Sequence, residues 1–396
     1  MTPRGPVSPP PATAGGPLWP VHVAILGAGL MMGAAMPLVP LALEARGIDN
    51  TTIGLNGAMW AVGLLAAGPF IPRWAARLGT LPLLWLALLA NALLTLGYVW
   101  TDDLPTWFAL RFAQGAATGV PWMLTEIWIN LVTEERRRGR ALALYSTLMA
   151  AGLAAGPLLL QFTGTRGATP FLACAALSIA VAVPLVGAIG RAPAIRPERG
   201  GGGALGAVAL APLAMVAALV AGLAETVVFT FLSIYAVGAG VAEATATLWQ
   251  SAFLVGNLAL QLPIGWLADR LDRAMLIAVC ALACALAAAA LPLAGTAPLL
   301  VVPLLAVWGG LSFGLYTVGL TILGERFAAG DMARANAAFV MVYTFGSLVG
   351  PPASGKAMDA FGGAGLGLSL AAAYAVCAVV AAFATRRPAD KGGPIR

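Results

Sequence analysis

The hydrophobic positions of this chain run in long unbroken stretches. They show neither the stripe of an amphipathic helix nor the alternation of a half-buried strand. Twelve stretches stand out, at 21–43, 53–71, 81–98, 107–130, 141–160, 168–189, 208–235, 247–266, 275–293, 298–323, 337–358 and 366–384. About 20 apolar residues in a helix cross a hydrocarbon layer of roughly 30 Å. Backbone polar groups facing lipid must be satisfied within their own segment, so each stretch is predicted to be helical. A membrane β-barrel would instead show alternating segments of about ten residues. The predicted fold class is an all-α integral membrane protein with twelve transmembrane helices.

Composition agrees with the pattern. Of 396 residues, 60% are hydrophobic and 10% charged, against about 25% charged in soluble domains. A net charge of +6 would suggest nucleic acid in a soluble protein, but the placement of the charges excludes it. With the N-terminus inside, 18 of the 22 Lys and Arg fall in cytoplasmic segments. Only Arg46, Arg166 and Lys356, the last at the outer end of its stretch, fall on the far side, and Arg111 lies deeper within its span. This is the positive-inside rule. A miscounted helix would scramble the split. Both termini are therefore expected in the cytoplasm.

The expected organisation is a cytoplasmic tail (1–18), a first bundle (19–190), a linker (191–206), a second bundle (207–386) and a second tail (387–396). The linker is basic and then Gly-rich, R-P-E-R-G-G-G-G, which suits a flexible connection. The two bundles carry an internal repeat. Gly152-x-x-x-Gly156-Pro157 matches Gly346-x-x-x-Gly350-Pro351, and Arg140-Ala141 matches Arg334-Ala335, all 194 residues apart. Gly47 and Gly63 match Gly240 and Gly256 at 193. The fold is thus expected to be two pseudo-symmetric six-helix bundles, with a binding site between them near the midplane.

The loop after the eighth stretch reads Gly265-Trp-Leu-Ala-Asp269-Arg270-Leu-Asp272-Arg273. It resembles the G-x-L-A-D-R-x-G-R pattern of the major facilitator superfamily, departing only at Asp272. The first-half copy, Pro72 to Gly79, keeps Arg77 and Gly79 but has Ala76 where the acid belongs. Arg111-Phe-Ala-Gln114-Gly115 resembles the family's R-x-x-Q-G motif. The fifth stretch carries G-x-x-x-G-P but continues with Leu160-Gln161, where antiporter members show a Gly pair. Glu126-Ile-Trp128-Ile-Asn130, followed by Arg138-Gly-Arg140, resembles the bacterial YcaD-like subgroup. So does Tyr343-Thr-Phe-Gly346-Ser-Leu-Val-Gly350-Pro351. The resemblance implies a permease in which helices 1, 4, 7 and 10 surround a central cavity.

Ionised groups within the bilayer cost roughly 2.5–3.5 kcal/mol each on insertion scales, so Arg111, Glu126 and Glu225 need partners, protonation or water. Steps of three and four residues place Arg111, Gln114, Trp122 and Glu126 near one helix face. Arg111 and Glu126 are roughly 22 Å apart along it, too far to pair. One reading has them touch solute or a proton. The other has Arg111 holding backbone carbonyls and Glu126 capping a helix through Asn130. Glu225, mid-span, is either a proton carrier or a neutral group bonded between helices. Trp122, Trp308, Ser312, Tyr316 and Thr317 are candidates to shape the pocket, with Trp60, Gln250 and Tyr343 behind them. For gating, Asp269, Arg270, Arg273 and Arg334 are expected to latch the cytoplasmic side. Arg77 with Glu134 or Glu135 would do so in the first half. Gly156, Pro157, Gly350 and Pro351 join this gating set. The plain alternative is that the arginines only fix orientation.

Cys174, Cys280, Cys284 and Cys377 lie in apolar runs without metal-ligand spacing, so no metal or cofactor is expected. With one histidine, His22, and no P-loop, enzymatic and ATP-driven roles are not expected. The expected function is secondary transport of a small organic solute by alternating access, with proton-coupled efflux preferred. Uptake, facilitated diffusion, or a membrane sensor or assembly role on the same fold are the alternatives. The expected partners are the solute, protons and membrane lipid, and the expected state is a monomer.

Overall fold

Short acidic side chains start several of the helices. Asp49 accepts from the Thr52 amide at 2.9 Å, Asp103 from the Thr106 amide at 3.0 Å and Asp272 from the Met275 amide at 2.8 Å. Each satisfies a backbone donor that the first helical turn leaves open. The departure at Asp272 from the loop motif thus has a local role as a helix cap.

The computed structural model describes residues 18–195, 211–327 and 329–386. The expected tail before residue 18, most of the linker and the tail after 386 lie outside the described residues, as do the side chains of Glu135 and Arg138. The first half comprises α1 (Trp19–Glu44), α2 (Asn50–Ala67), α3 (Ile71–Leu78), α4 (Thr80–Trp100), α5 (Leu104–Val132), α6 (Glu135–Ala155), α7 (Pro157–Thr163) and α8 (Thr169–Ala182). The second comprises α9 (Pro212–Gly238), α10 (Glu243–Ala268), α11 (Arg273–Ala294), α12 (Pro298–Arg326), α13 (Ala329–Phe361) and α14 (Ala364–Arg386). Among the described residues, eleven helical segments are long and apolar enough to cross a membrane. The remaining crossing is α5, 29 residues long, whose Arg111 and Glu126 dilute its hydropathy.

The predicted spans are right in number and order but wrong at several ends. Stretch 53–71 starts earlier, at Asn50. It then breaks at a 3-10 turn, Gly68–Phe70, and resumes as α3. Stretch 141–160 starts at Glu135 and breaks at Gly156, where Pro157 opens α7. Stretch 168–189 ends as helix at Ala182, with Pro184 leading a 3-10 turn. Proline lacks the amide that would continue the ladder. Stretch 337–358 extends to Ala329–Phe361. Its polar first turns project beyond the apolar window and are invisible to a hydropathy count.

The repeat becomes a packing rule. Gly152 and Gly156 let α6 ride on the backbone of α1, against the Leu26 and Leu30 carbonyls. Gly346 and Gly350 seat α13 on α9 in the same way, against Leu219 and Leu223. A second pair repeats it. Gly63 and Gly115 join α2 to α5, while Gly256 and Gly309 join α10 to α12. Helices approach this closely in membranes only where side chains are absent. The halves meet along α2 and α13, and along α10 with α6 and α7. One end of the molecule receives the linker; the other carries the turns Glu44–Asn50 and Gly238–Glu243. These are called the linker end and the far end below.

Candidate solute and gating site

In the first half, α5 aims its polar face at α1, α2 and α4. A narrow cavity of about 20 Å³ lies there. From α5 it is lined by Arg111, Gln114 and Thr118, from α4 by Asn91. Met31, Met32 and Met36 of α1 and Trp60 of α2 make the apolar wall. The polar side is a ladder. Thr118 donates to Asn91 Oδ1 at 3.1 Å, and Gln114 Nε2 donates to Thr95 Oγ1 at 3.3 Å. Arg111, 3% exposed, donates to Gln114 Oε1 at 3.3 Å and to Met36 Sδ at 3.8 Å. Its Nε is buried without a partner. The Tyr98 hydroxyl is the other group acting on it. The expected backbone carbonyls are not its partners.

Met32, Met36, Trp60 and Trp122 also belong to an apolar cluster with Leu153, Phe229, Leu254 and Phe313. That cluster spans both halves, so the cavity abuts the seam between them. Glu126 is exposed at the linker end of α5. Asn130 donates to the Glu126 backbone carbonyl at 3.0 Å, which leaves the carboxylate itself without a partner among the described residues.

In the second half, Glu225 stands at the middle of α9, a helix of 27 residues. It accepts a hydrogen bond from Tyr343 of α13. Tyr316 of α12 packs edge-on to Tyr343, centroids 5.3 Å apart, and to Phe339 at 5.1 Å. Tyr316 lies within electrostatic reach of both Glu225 and Glu126. The two carboxyl groups therefore approach a common aromatic side chain from opposite halves.

Between described residues of the two halves, every hydrogen bond and ion pair lies at the far end. Asp359 of α13 accepts from the Asn50 amide at 2.9 Å and from Asn50 Nδ2 at 3.0 Å. It also accepts from the Thr51 amide at 2.8 Å and Thr51 Oγ1 at 2.6 Å. A carboxylate from one half thus caps the first turn of α2 in the other. Glu243 accepts from Arg166 and Thr165, and Gln161 donates to the Ala244 carbonyl. Gly54 lies against the Pro351 carbonyl and Gly355 against Asn50, so backbones touch across the seam.

The sequence profile of the Major Facilitator Superfamily matches residues 21–214 and again 214–396. The chain belongs to the Major Facilitator Superfamily. Curated relatives include the MFS-type transporter YfkF of Bacillus subtilis, 24% identical over 350 residues, covering 85% of this chain and 88% of that protein. YcaD of Escherichia fergusonii is 25% identical over 317 residues, covering 79% and 81%. The fold matches a point mutant of the nucleoside transporter NupG, with a TM-score of 0.75 at 15% identity, covering 92% of this chain and 98% of that one. It also matches a bacterial homolog of the human lysosomal transporter Spinster, in an inward-facing and unoccupied conformation. That match has a TM-score of 0.74 at 15% identity, covering 92% and 95%.

Within this Major Facilitator chain, Arg111 and Gln114 share one wall, while Trp122 and Glu126 flank the seam. Glu225 and Tyr316 face it from the other half. Trp308 departs from the expectation. It is 0% exposed, packs edge-on to Phe253 at 5.6 Å and donates to the Tyr374 hydroxyl at 3.1 Å. It fills the second-half core and does not line the seam.

The latch residues also sit differently. Arg273 pairs with Glu325 in its own half, and Arg270 stacks on Trp266 at 3.7 Å. Asp269 is exposed without an ion pair among the described residues. Glu134 meets Arg137 at 3.9 Å and Arg77 is exposed, while the side chain of Glu135, the other partner expected for Arg77, lies outside the described residues. Arg334 is exposed at the start of the long α13. Gly156 and Gly350 hold helices together within each half, with Pro157 opening α7 and Pro351 reaching the seam.

Sequence reading missed Asp359, Glu243, Arg166 and Asn91. A carboxylate near a helix end facing an Asn-Thr helix start was the available signal, but it acquires meaning only once residues 309 apart are brought together.

Proposed function

We propose that this chain is a secondary transporter that moves a small organic solute by alternating access, with proton-coupled efflux as the preferred direction. The observation that carries the reading is the one-sided seam. Among the described residues, polar contacts between halves gather at the far end, while Glu126 at the linker end is exposed with a free carboxylate. The basic residues argue that the linker end is cytoplasmic, so the state described is inward-open. The inward-facing Spinster homolog of matching fold supports this. Glu126 and Glu225, reaching Tyr316 from opposite halves, are the proposed proton carriers. Arg111, Gln114 and Trp122 are the proposed solute wall. The protein acts as a monomer in the bacterial inner membrane, without a cofactor.

Uptake is the second reading. Where antiporter members show a Gly pair, this chain has Leu160-Gln161, and Gln161 donates across the seam to Ala244. A thermal-shift screen of metabolites and drugs at two pH values would supply the solute. Solute-dependent proton flux in liposomes then tests the mechanism. Wild-type flux in both Glu126→Gln and Glu225→Gln proteins would end the proton-coupled reading.

A further inference from the structure

Arg111 poses a charge problem that the protein does not solve. A guanidinium keeps its charge and presents five donors. Burying such a charge without compensation costs several kcal/mol even after relaxation. Its neighbours here are an amide oxygen, a thioether and a phenol hydroxyl, all neutral. No carboxylate among the described residues acts on it. Glu126 and Glu225 both address Tyr316 instead. One donor, Nε, is buried with nothing to receive it. Proton movements on the two glutamates change the charge elsewhere in the seam but leave Arg111 uncompensated.

The missing charge has a small cavity beside it, polar on one wall and apolar on the other. Arg111 lines the cavity bounded by Asn91, Trp60 and the α1 methionines, and through Met36 and Trp60 that cavity borders the seam. Guanidinium and carboxylate match in a planar two-point contact. The thioether and indole wall suits an apolar body. At about 20 Å³, the space in this state has room for a water or two, far below the usual ligand-pocket range of roughly 300–1,000 Å³. A carboxylate therefore enters only as the pocket widens with movement of the halves, and a small acid asks least of that widening. We infer that the solute is a small organic acid, whose carboxylate docks on Arg111 and whose apolar portion lies against Trp60 and the methionines. The inference rests on the transport reading above and names its substrate class.

The test uses the full-length purified protein and thermal stabilisation by acetate, benzoate and indole-3-acetate, each beside its primary amide, with benzylamine as a cation. The expected result is that at least one acid stabilises the protein at concentrations where its amide and benzylamine do not. Arg111→Gln should then weaken that acid about tenfold or more, the size of a lost charge-assisted hydrogen bond. Arg111→Lys should recover part of the loss. Amides or benzylamine binding as well as the acids would overturn the inference, as would no acid binding at all. An Arg111→Gln protein that folds and binds acid like wild type would also overturn it. Should that variant not fold, the acid–amide contrast in the wild type decides alone. Glu225-dependent proton flux driven by a neutral or cationic solute would retain the transport reading while ending this one.

Discussion

Glu225 and Trp308 both occupy the middle of long helices in the second half, yet their surroundings differ. Glu225 is half-buried and held by one hydroxyl, Tyr343. A glutamine there still accepts that hydrogen bond and keeps the volume. Glu225→Gln should therefore leave the thermal midpoint near wild type while abolishing solute-driven proton flux, measured in liposomes. Trp308 is enclosed by Phe253 and Tyr374. Removing its ring opens a cavity costing about 3–5 kcal/mol. Trp308→Ala should lower the melting temperature sharply while the surviving folded protein keeps its apparent KM for solute; a changed KM at unchanged stability would return Trp308 to the pathway. Arg111, Glu126 and Glu225 were legible in the sequence because a charge inside an apolar run is anomalous in one dimension. Trp308 was misread because an aromatic residue in such a run looks the same whether it faces a seam or a core. Asp359 was passed over because an acid at a helix end is ordinary until its partner arrives from the other half.

At the scale of helices, α2 and α13 form the main closure. Asp359 receives two amides and two side-chain donors from Asn50 and Thr51, so it caps α2 from outside its own half. Losing a helix cap costs about 0.5–2 kcal/mol, and 1–2 kcal/mol is a factor of about 5–30 in a two-state ratio. Asp359→Ala should shift the population toward far-end opening by a factor in that range, read by spin-label distances between α2 and α13. An unaltered distance distribution would remove Asp359 from the gate.

Glycine positions on the same elements separate gating from folding. Gly54 meets the Pro351 carbonyl across the seam, whereas Gly152 meets the Leu26 carbonyl within one half. Gly54→Leu is expected to favour the far-open state with a nearly normal melting temperature. Gly152→Leu is expected to lower the melting temperature without a preference between states. The G-x-x-x-G-P repeat was visible as a string but its meaning was not. It joins α6 to α1 and α13 to α9, so these glycines pack helices within each half. The helix ends were the least legible part. The arginine run at 136–140 reads as a loop, yet it lies within α6, in a polar turn beyond the apolar window.

On the whole molecule, repeated halves should build two equivalent seams, α2 against α13 and α10 against α6 and α7. Both hold at the far end through a small number of polar contacts, most of them exposed: the Asp359 cap, the Glu243 pair with Arg166 and Thr165, and Gln161 on Ala244. Exposed ion pairs are worth about 0–1 kcal/mol. Reversing a population from 1:99 to 99:1 takes about 5.5 kcal/mol. Closure of this strength is therefore within reach of solute and proton binding, as alternating access requires. A covalent bond is not. The four native thiols are all buried, so a cysteine pair introduced by Thr51→Cys with Asp359→Cys can be oxidised on the native background. With that bridge formed, Cys introduced by Asn130→Cys near the linker end should remain open to a membrane-impermeant maleimide, because the far end is held shut. Solute transport should stop, and a reductant should restore it. Transport continuing at the unbridged rate while the disulfide is intact would show that solute crosses without the far end opening, and rocking of the two halves would have to be abandoned.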